Sequence, residues 1–341
     1  MGELLSQHSN YFVPAATNAT SAANLFPNRY VRERVDSAYI MANTQWKKWT
    51  FQGGVRNERT RHVYRVYERG VAETHSGSYD GTFFSGAAKY RFRPDFIATF
   101  SVSQSVRRPN TNNLTGVATI NDDLMTGNIP NPQLKPEWGN NYSARLEYYF
   151  EPAGNVAAGV FQSDIKELIF QRTQVPAEEM GLGGEYPGYL FTSFGNRDAG
   201  FRIQGFELEY RHQLTFLPGP LRGLGIFANY TRTTNSDPNF QLNIAPATAS
   251  AGVNYRYRRL TSALSGSWTD EKLFSATDYT KARVMLGLSF GYTLTERVSL
   301  FATARDLLKS PIRRYSRDFP DHITSYSQYA IQWTMGLSGR F

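Results

Sequence analysis

The sequence predicts an all-β protein: an antiparallel up-and-down transmembrane β-barrel, crossing the membrane on its strands. Three observations predict it. Long segments alternate apolar and polar residues one by one. The connections between them alternate strictly between short and long. Aromatic residues gather beside the short connections, on the apolar faces. Successive side chains of a strand point to opposite faces, so an alternating segment has one greasy and one wet face. The end of the chain shows this best. Tyr329, Ile331, Trp333, Met335, Leu337, Gly339 and Phe341 fall on one face, and Ala330, Gln332, Thr334, Gly336, Ser338 and Arg340 on the other. Such a length exceeds the soluble strand of about five or six residues and suits a tilted membrane crossing of about nine to eleven.

Bulk properties agree. The chain has 341 residues, 14% aromatics, 28 Gly and no Cys, with a mean hydropathy of -0.47. It holds no apolar run long enough for a membrane helix, and a barrel strand gives only half its residues to lipid. Without Cys there is neither a disulfide framework nor a thiolate site. Met1–Leu5 has no basic region and no apolar core, so an exported chain of this sequence is expected to be mature or a fragment. The net charge of +8 suits an anionic lipid or ligand, but its cations are dispersed rather than in blocks, which argues against nucleic acid.

Taken in order, residues 1–29 are expected to be an irregular loop segment rich in Asn, Ala, Ser and Thr. Strands are expected at 30–46, 49–64, 82–92, 96–107, 139–150, 155–171, 189–212, 222–233, 248–258, 260–270, 280–294, 297–309 and 327–341. In 280–294, Val284, Leu286, Leu288, Phe290 and Tyr292 oppose Arg283, Met285, Gly287, Ser289 and Gly291. In 201–211 the apolar phase slips beside Gly205, which predicts a β-bulge. Short connections fall at 47–48, 93–95, 151–154, 217–221, 258–259 and 295–296. Long ones fall at 65–81, 108–138, 172–188, 234–247, 271–279 and 310–326. Alternate turns of an up-and-down array lie at one end, so one rim has tight turns and the other long loops. Trp46, Trp49, Phe92, Phe96, Phe150, Tyr257, Tyr292 and Phe341 lie beside short turns or the chain end, on apolar faces. They form the expected membrane-interface girdle.

The wet faces carry Arg56, Lys89, Arg91, Arg107, Arg145, Arg256, Arg283 and Arg305, with Glu147, Glu207 and Glu209 as partners. Two readings stay open for this lumen-facing set. One is a wet wall of ion pairs, each contributing about 0–1 kcal/mol. The other is attraction of an anionic solute by field focusing. The five His residues have no ligand spacing, so no metal or cofactor site is expected. No nucleophile motif is present, so an enzyme is not expected. Gly181-Leu182-Gly183-Gly184 reads as loop rather than nucleotide fingerprint. Asp122-Asp123 and Glu178-Glu179 could hold a hard cation or be solvated loop charges. The loops 108–138 and 172–188 are the expected places of ligand contact. Tyr186, Tyr189 and Phe191 would either stack on a ligand ring there or join an outer girdle.

Four stretches then resemble one family. Gly54-Val55-Arg56-Asn57-Glu58-Arg59-Thr60, Ser101 to Pro109, Gly127 to Glu137 with its Leu134-Lys135-Pro136-Glu137, and Gly205-Phe206-Glu207-Leu208-Glu209 together resemble the C-terminal barrel part of a TonB-dependent outer-membrane receptor. The likeness runs from about residue 30 to the end. Two positions depart from the family pattern: Asp306 stands where an Asn is usual, and Ala330-Ile331 where a Gly-Arg pair is usual. The resemblance implies a partial barrel, because the family has about twenty-two strands and an N-terminal plug domain that these residues do not match. It further implies localisation in the outer membrane of a Gram-negative-type bacterium, with short periplasmic turns, long extracellular loops and residues 1–29 as an extracellular segment. Implied partners are outer-membrane lipid and lipopolysaccharide, a small-molecule ligand, and the periplasmic energy-coupling protein TonB acting through the plug. The implied function is active uptake of a siderophore–iron complex, cobalamin or an oligosaccharide by a monomeric barrel. A passive porin and an outer-membrane enzyme are the alternatives.

Overall fold

Alternating β-branched, aromatic and small polar residues favour extended backbone, and short turns return each strand beside its predecessor. A computed structural model describes residues 30–339, apart from 69–70, 116–117, 238–239, 241–242 and 276. Thirteen strands form one antiparallel sheet. In spatial order they begin β1 (Tyr30–Trp46), β2 (Trp49–Glu68), β3 (Val71–Arg93), β4 (Phe96–Arg107), β7 (Glu137–Phe150) and β8 (Gly154–Lys166). They continue with β11 (Phe201–Gln213), β12 (Leu224–Asn235), β13 (Ala247–Tyr257), β14 (Leu260–Thr269), β17 (Arg283–Thr293), β18 (Val298–Arg305) and β21 (Gln332–Gly339). β1 and β21 stand at the two ends of this order.

The long connections build two further sheets. One joins β5 (Thr119–Asn121), β6 (Thr126–Asn128), β10 (Leu190–Arg197) and β9 (Leu168–Pro176); the other joins β15 (Lys272–Leu273), β16 (Asp278–Thr280), β19 (Ile312–Ser316) and β20 (Ile323–Ser327). A single helical turn, α1 (Thr111–Thr115), sits in the connection after β4. No described helix is long and apolar enough to cross a membrane.

Register decides which residues share a face, because directly opposed residues point the same way. Lys89, Thr99, Arg145, Gly159, Glu207, Thr231, Thr248, Thr269 and Arg283 are opposed one to the next from β3 to β17. Every member of that row is polar or glycine. The adjacent row is Tyr90, Ala98, Leu146, Ala158, Leu208, Tyr230, Ala249, Trp268 and Val284, apolar throughout. The large side chains of the apolar face are not covered by protein: Val160 is 58% exposed, Trp333 59% and Met335 74%. The small buried cluster lies instead among the loops, where Tyr64, Leu114 and Leu134 pack with Ile169 and Phe194.

Four expectations are corrected. There is no bulge at Gly205, because β11 keeps one register with β8 and with β12 along its length. Phe201 and Ile203 therefore lie on the polar-face side. Phe201 is 1% exposed there, with the Phe240 ring 5.3 Å away and the Arg197 guanidinium 5.5 Å away, so loop packing explains its apolar character. A Cβ at Gly205 would meet the Arg232 carbonyl oxygen at 2.1 Å and Phe161 at 2.6 Å, so the glycine makes room for that ring. The expected loop 65–81 is a projecting hairpin, since β2 and β3 stay paired as far as Glu68 and Val71. The expected strands 155–171 and 189–212 each break in two. Glu167 turns with φ +55°, and residues 198–200 interrupt the second, so each strand is divided between the wall and a loop sheet. The last strand begins at Gln332 rather than 327. Residues 1–29 and Phe341 lie outside the described residues.

Candidate functional site

The wet and greasy rows make two surfaces, and the loop sheets make a third. On the polar face, Arg145 is the hub. Its guanidinium donates to Glu209 at 2.6 Å and to Glu147 at 3.4 Å, and Glu207 lies 3.9 Å away. Tyr149 donates its hydroxyl to the same Glu147 at 3.3 Å. The four charged side chains are all partly exposed, so water screens each pair to about 0–1 kcal/mol. Arg283 donates to Asp306 at 2.8 Å, and the other Asp306 oxygen accepts the Ser310 N–H at 3.0 Å. Asp306 itself turns with φ +54°. Arg56 pairs with Glu58 at 2.5 Å, and Arg107 with Glu137. Among the described residues Arg91, Arg256 and Arg305 have no ion-pair partner. By register and alternation all nine predicted charged residues, Arg56, Arg91, Arg107, Arg145, Glu147, Glu207, Arg256, Arg283 and Arg305, lie on one face of the sheet.

The opposite face carries the aromatic belt. Trp46, Trp49, Phe92, Phe96, Phe150, Tyr257 and Tyr292 all lie on it. Ring contacts run along the short-turn rim. Trp49 meets Tyr90 at 4.6 Å, Tyr90 meets Phe92 at 4.7 Å, and Phe92 meets Phe96 at 5.0 Å. The series continues from Phe96 to Tyr148 at 6.5 Å, from Tyr148 to Phe150 at 6.0 Å, and from Phe150 to His212 at 4.9 Å. Phe216, in the next short connection, lies 5.6 Å from His212 with its ring tilted. His212, Tyr90 and Phe216 were not singled out from the sequence, though His212 and Tyr90 share the alternation of the belt.

The loops are fastened by side chains that sequence reading missed. The Leu134-Lys135-Pro136-Glu137 stretch is a clamp. Asn196 accepts the Lys135 N–H at 2.8 Å and donates to the carbonyls of Lys135 and Glu167 at 2.9 and 2.8 Å. Asn131 donates to the Phe194 carbonyl at 2.9 Å. Buried Glu137 accepts the Ile169 N–H at 2.7 Å as well as Arg107. Glu58, also buried, is paired with Arg108, which carries the chain out of β4. These partners are 29 to 63 positions apart, which no local pattern encodes.

The expected ligand aromatics fare differently from one another. Phe191 is 0% exposed and packs against Tyr186 at 5.8 Å and Tyr189 at 6.4 Å, so it is a loop core residue and unavailable for stacking. Tyr189 donates to Asp122 at 3.1 Å; loss of hydration first, and then Asp122 for Tyr189 and Glu185 for Tyr186, raise the two hydroxyls above their ordinary range. Glu179 is paired with Arg172. Among the described residues no group of His, Asp or Glu is arranged to hold a metal ion.

A family model for the TonB-dependent receptor-like β-barrel matches residues 3–307. The chain belongs to the TonB-dependent receptor β-barrel family. Solved structures with this fold include the copper transporter OprC, at 15% identity and TM-score 0.64, with 91% of this chain and 48% of that chain covered. The siderophore receptor PiuA from Acinetobacter baumannii is similar at 15% identity and TM-score 0.64, with 90% and 43% covered. The ferric citrate transporter FecA is similar at 13% identity and TM-score 0.63, with 91% and 45% covered. The chain therefore spans about half the length of these structures. No curated protein matches it. Family and structural neighbours are transporters and receptors rather than enzymes.

Proposed function

We propose that this chain supplies the C-terminal barrel portion of an outer-membrane importer that takes up a metal chelate by TonB-dependent transport. The observation that carries the reading is the pair of adjacent rows across nine strands, one wholly polar or glycine and the other wholly apolar. In this reading the Arg145 face lines the aqueous interior and the Trp268 row faces hydrocarbon. The loop sheets bearing Tyr186 and Tyr189 stand at the outer mouth, where ligand meets the protein. The structural neighbours, a copper transporter, a siderophore receptor and a ferric citrate transporter, support a metal complex over cobalamin or an oligosaccharide. TonB would act through a plug domain that fills such a barrel in the longer relatives, and the barrel would work as a monomer.

The chain lacks Cys, so single cysteines report position cleanly. A membrane-impermeant maleimide is expected to label Ser143→Cys in intact outer membranes and to leave Tyr142→Cys unlabelled. Labelling of both to the same extent would reject the two-face assignment. Uptake of a ferric chelate by cells expressing the longer receptor gene, and its loss without TonB, tests transport. Steady ion conductance without any energy source would favour the passive porin instead.

A further inference from the structure

The short-turn rim holds an uneven charge. Its turns carry Lys47, Lys48, Arg93, Arg222, Arg258, Arg259 and Arg297, against the carboxylates Asp95, Glu151 and Glu296. The connections at the other end, 65–81, 108–138, 172–188, 234–247, 271–279 and 310–326, carry nine Lys and Arg against fourteen Asp and Glu. The two ends are thus opposite in sign. All seven rim cations are exposed.

Their direction is also set. Lys47 Nζ stands 4.9 Å from the Trp46 ring, the Arg93 guanidinium 5.9 Å from Tyr148, and the Arg258 guanidinium 5.3 Å from Tyr257. These three rings lie on the apolar face, so the cations lean outward over the aromatic belt and away from the polar face. Arg93 is additionally 3.3 Å from Asp95. Lys48 and Arg259 donate to the backbone carbonyls of Phe92 at 2.9 Å and Leu294 at 3.1 Å, which holds their heads at the rim. A cation standing on interfacial aromatics with its stem along apolar surface sits at headgroup depth.

We propose that this rim is a binding surface for the anionic phospholipids of the leaflet that the short turns face, of the phosphatidylglycerol class. The inference rests on the membrane-spanning reading above. The arrangement selects lipid over a single soluble anion. The cations do not converge on one point; they recur on five of the six short hairpins, the Glu151 hairpin excepted, at about 10 Å per pair of strands, which is the scale of successive headgroups. Attraction of this kind is additive over the row and screened by salt. It would fix the depth and tilt of the barrel from the rim that lacks long loops.

The test is lipid selectivity at the protein boundary. The 341-residue chain is reconstituted in phosphatidylcholine bilayers with a trace of spin-labelled phosphatidylglycerol or spin-labelled phosphatidylcholine. The motionally restricted fraction is then read by electron paramagnetic resonance. We expect phosphatidylglycerol to be preferred by about fivefold, the effect of roughly one net cation per contacted headgroup. The preference should collapse in high salt, a measurement that needs no variant. It should fall by half or more in Lys48→Gln/Arg259→Gln and stay unchanged in Arg313→Gln at the other end. Restricted lipid with no preference, or a preference that ignores salt and both rim substitutions, overturns the proposal. Absence of any restricted lipid would reject the membrane face itself, and this surface with it.

Discussion

Asn196→Ala should release the outer loops from one another while leaving the wall intact. Asn196 bonds the connection after β4 and the break between β8 and β9 at once, beside the direct Lys135–Glu167 ion pair at 3.3 Å. Three hydrogen bonds leave with it: the Lys135 N–H, the Lys135 carbonyl and the Glu167 carbonyl, at 2.8, 2.9 and 2.8 Å. At about 1 kcal/mol net for each, the local opening free energy should drop by about 3 kcal/mol, or about a hundredfold in amide protection. Native-state hydrogen exchange with mass spectrometry reads this directly on peptides covering 126–138 and 168–176. Peptides from β13 and β14 serve as the internal reference, since they share no partner with Asn196. Asn196→Asp keeps the acceptor for Lys135 N–H and loses both donors, so it should recover only part of the protection. A fall of less than about threefold in the loop peptides would refute the clamp. Equal deprotection of β13 and β14 would show that the loops and wall unfold as one unit, and would refute the claimed independence.

Three further outcomes follow from single residues. Gly205→Ala should destabilise the wall by about 1–3 kcal/mol, because the new Cβ meets the Arg232 carbonyl oxygen at 2.1 Å; urea unfolding in detergent measures it, and an unchanged midpoint would contradict the geometry. Arg145→Gln should shift the same midpoint by less than about 1 kcal/mol, since its partners are partly exposed and the salt links of the wall are individually weak. Asp278 accepts hydroxyl hydrogen bonds from Thr324, Thr277 and Ser275, and these hold its carboxyl below the usual range, Thr324 most of all. A carboxyl with a depressed folded-state pKa adds stability that is complete above the unfolded-state value and is lost as pH falls through the folded one. Protection of the β15–β16–β19–β20 sheet should therefore weaken with acidification below about pH 4, and Asp278→Asn should remove that pH dependence.

Much of the wall was legible in the residues themselves. Period-two alternation is a local property, and the bilayer enforces it on every strand, so β4, β7, β13, β14 and β17 fall within a few residues of their expected bounds. That Trp49, Phe96 and Phe150 share one face of the sheet, and Arg145 and Glu147 the other, follows from the same alternation. Errors came where the membrane stops acting. In 201–211 the apolar Phe201 sits on the polar-face side because a loop ring and Arg197 cover it; the phase slip recorded a change of surroundings and no change of backbone. The hairpin tip at 65–81 carries polar residues on both sides and so read as loop, although backbone pairing continues through it. Phe191, exposed by expectation, is buried by its own loop.

By itself, then, the order of residues determined an antiparallel wall with one wet and one greasy face, its short-turn and long-loop rims, and the aromatics that mark one edge. Those features need only neighbours in sequence and a solvent on each side. Tertiary structure alone decided how the long connections fold into two small sheets, why Asn131, Asn196 and Glu137 matter, and which cations lean outward over the belt. The loop sheets and those three side chains depend on groups tens of positions apart meeting at hydrogen-bond distance, and chain closure over such spans leaves no periodic trace in the sequence; the lean of a rim cation is a choice of side-chain rotamer, which residue order does not state.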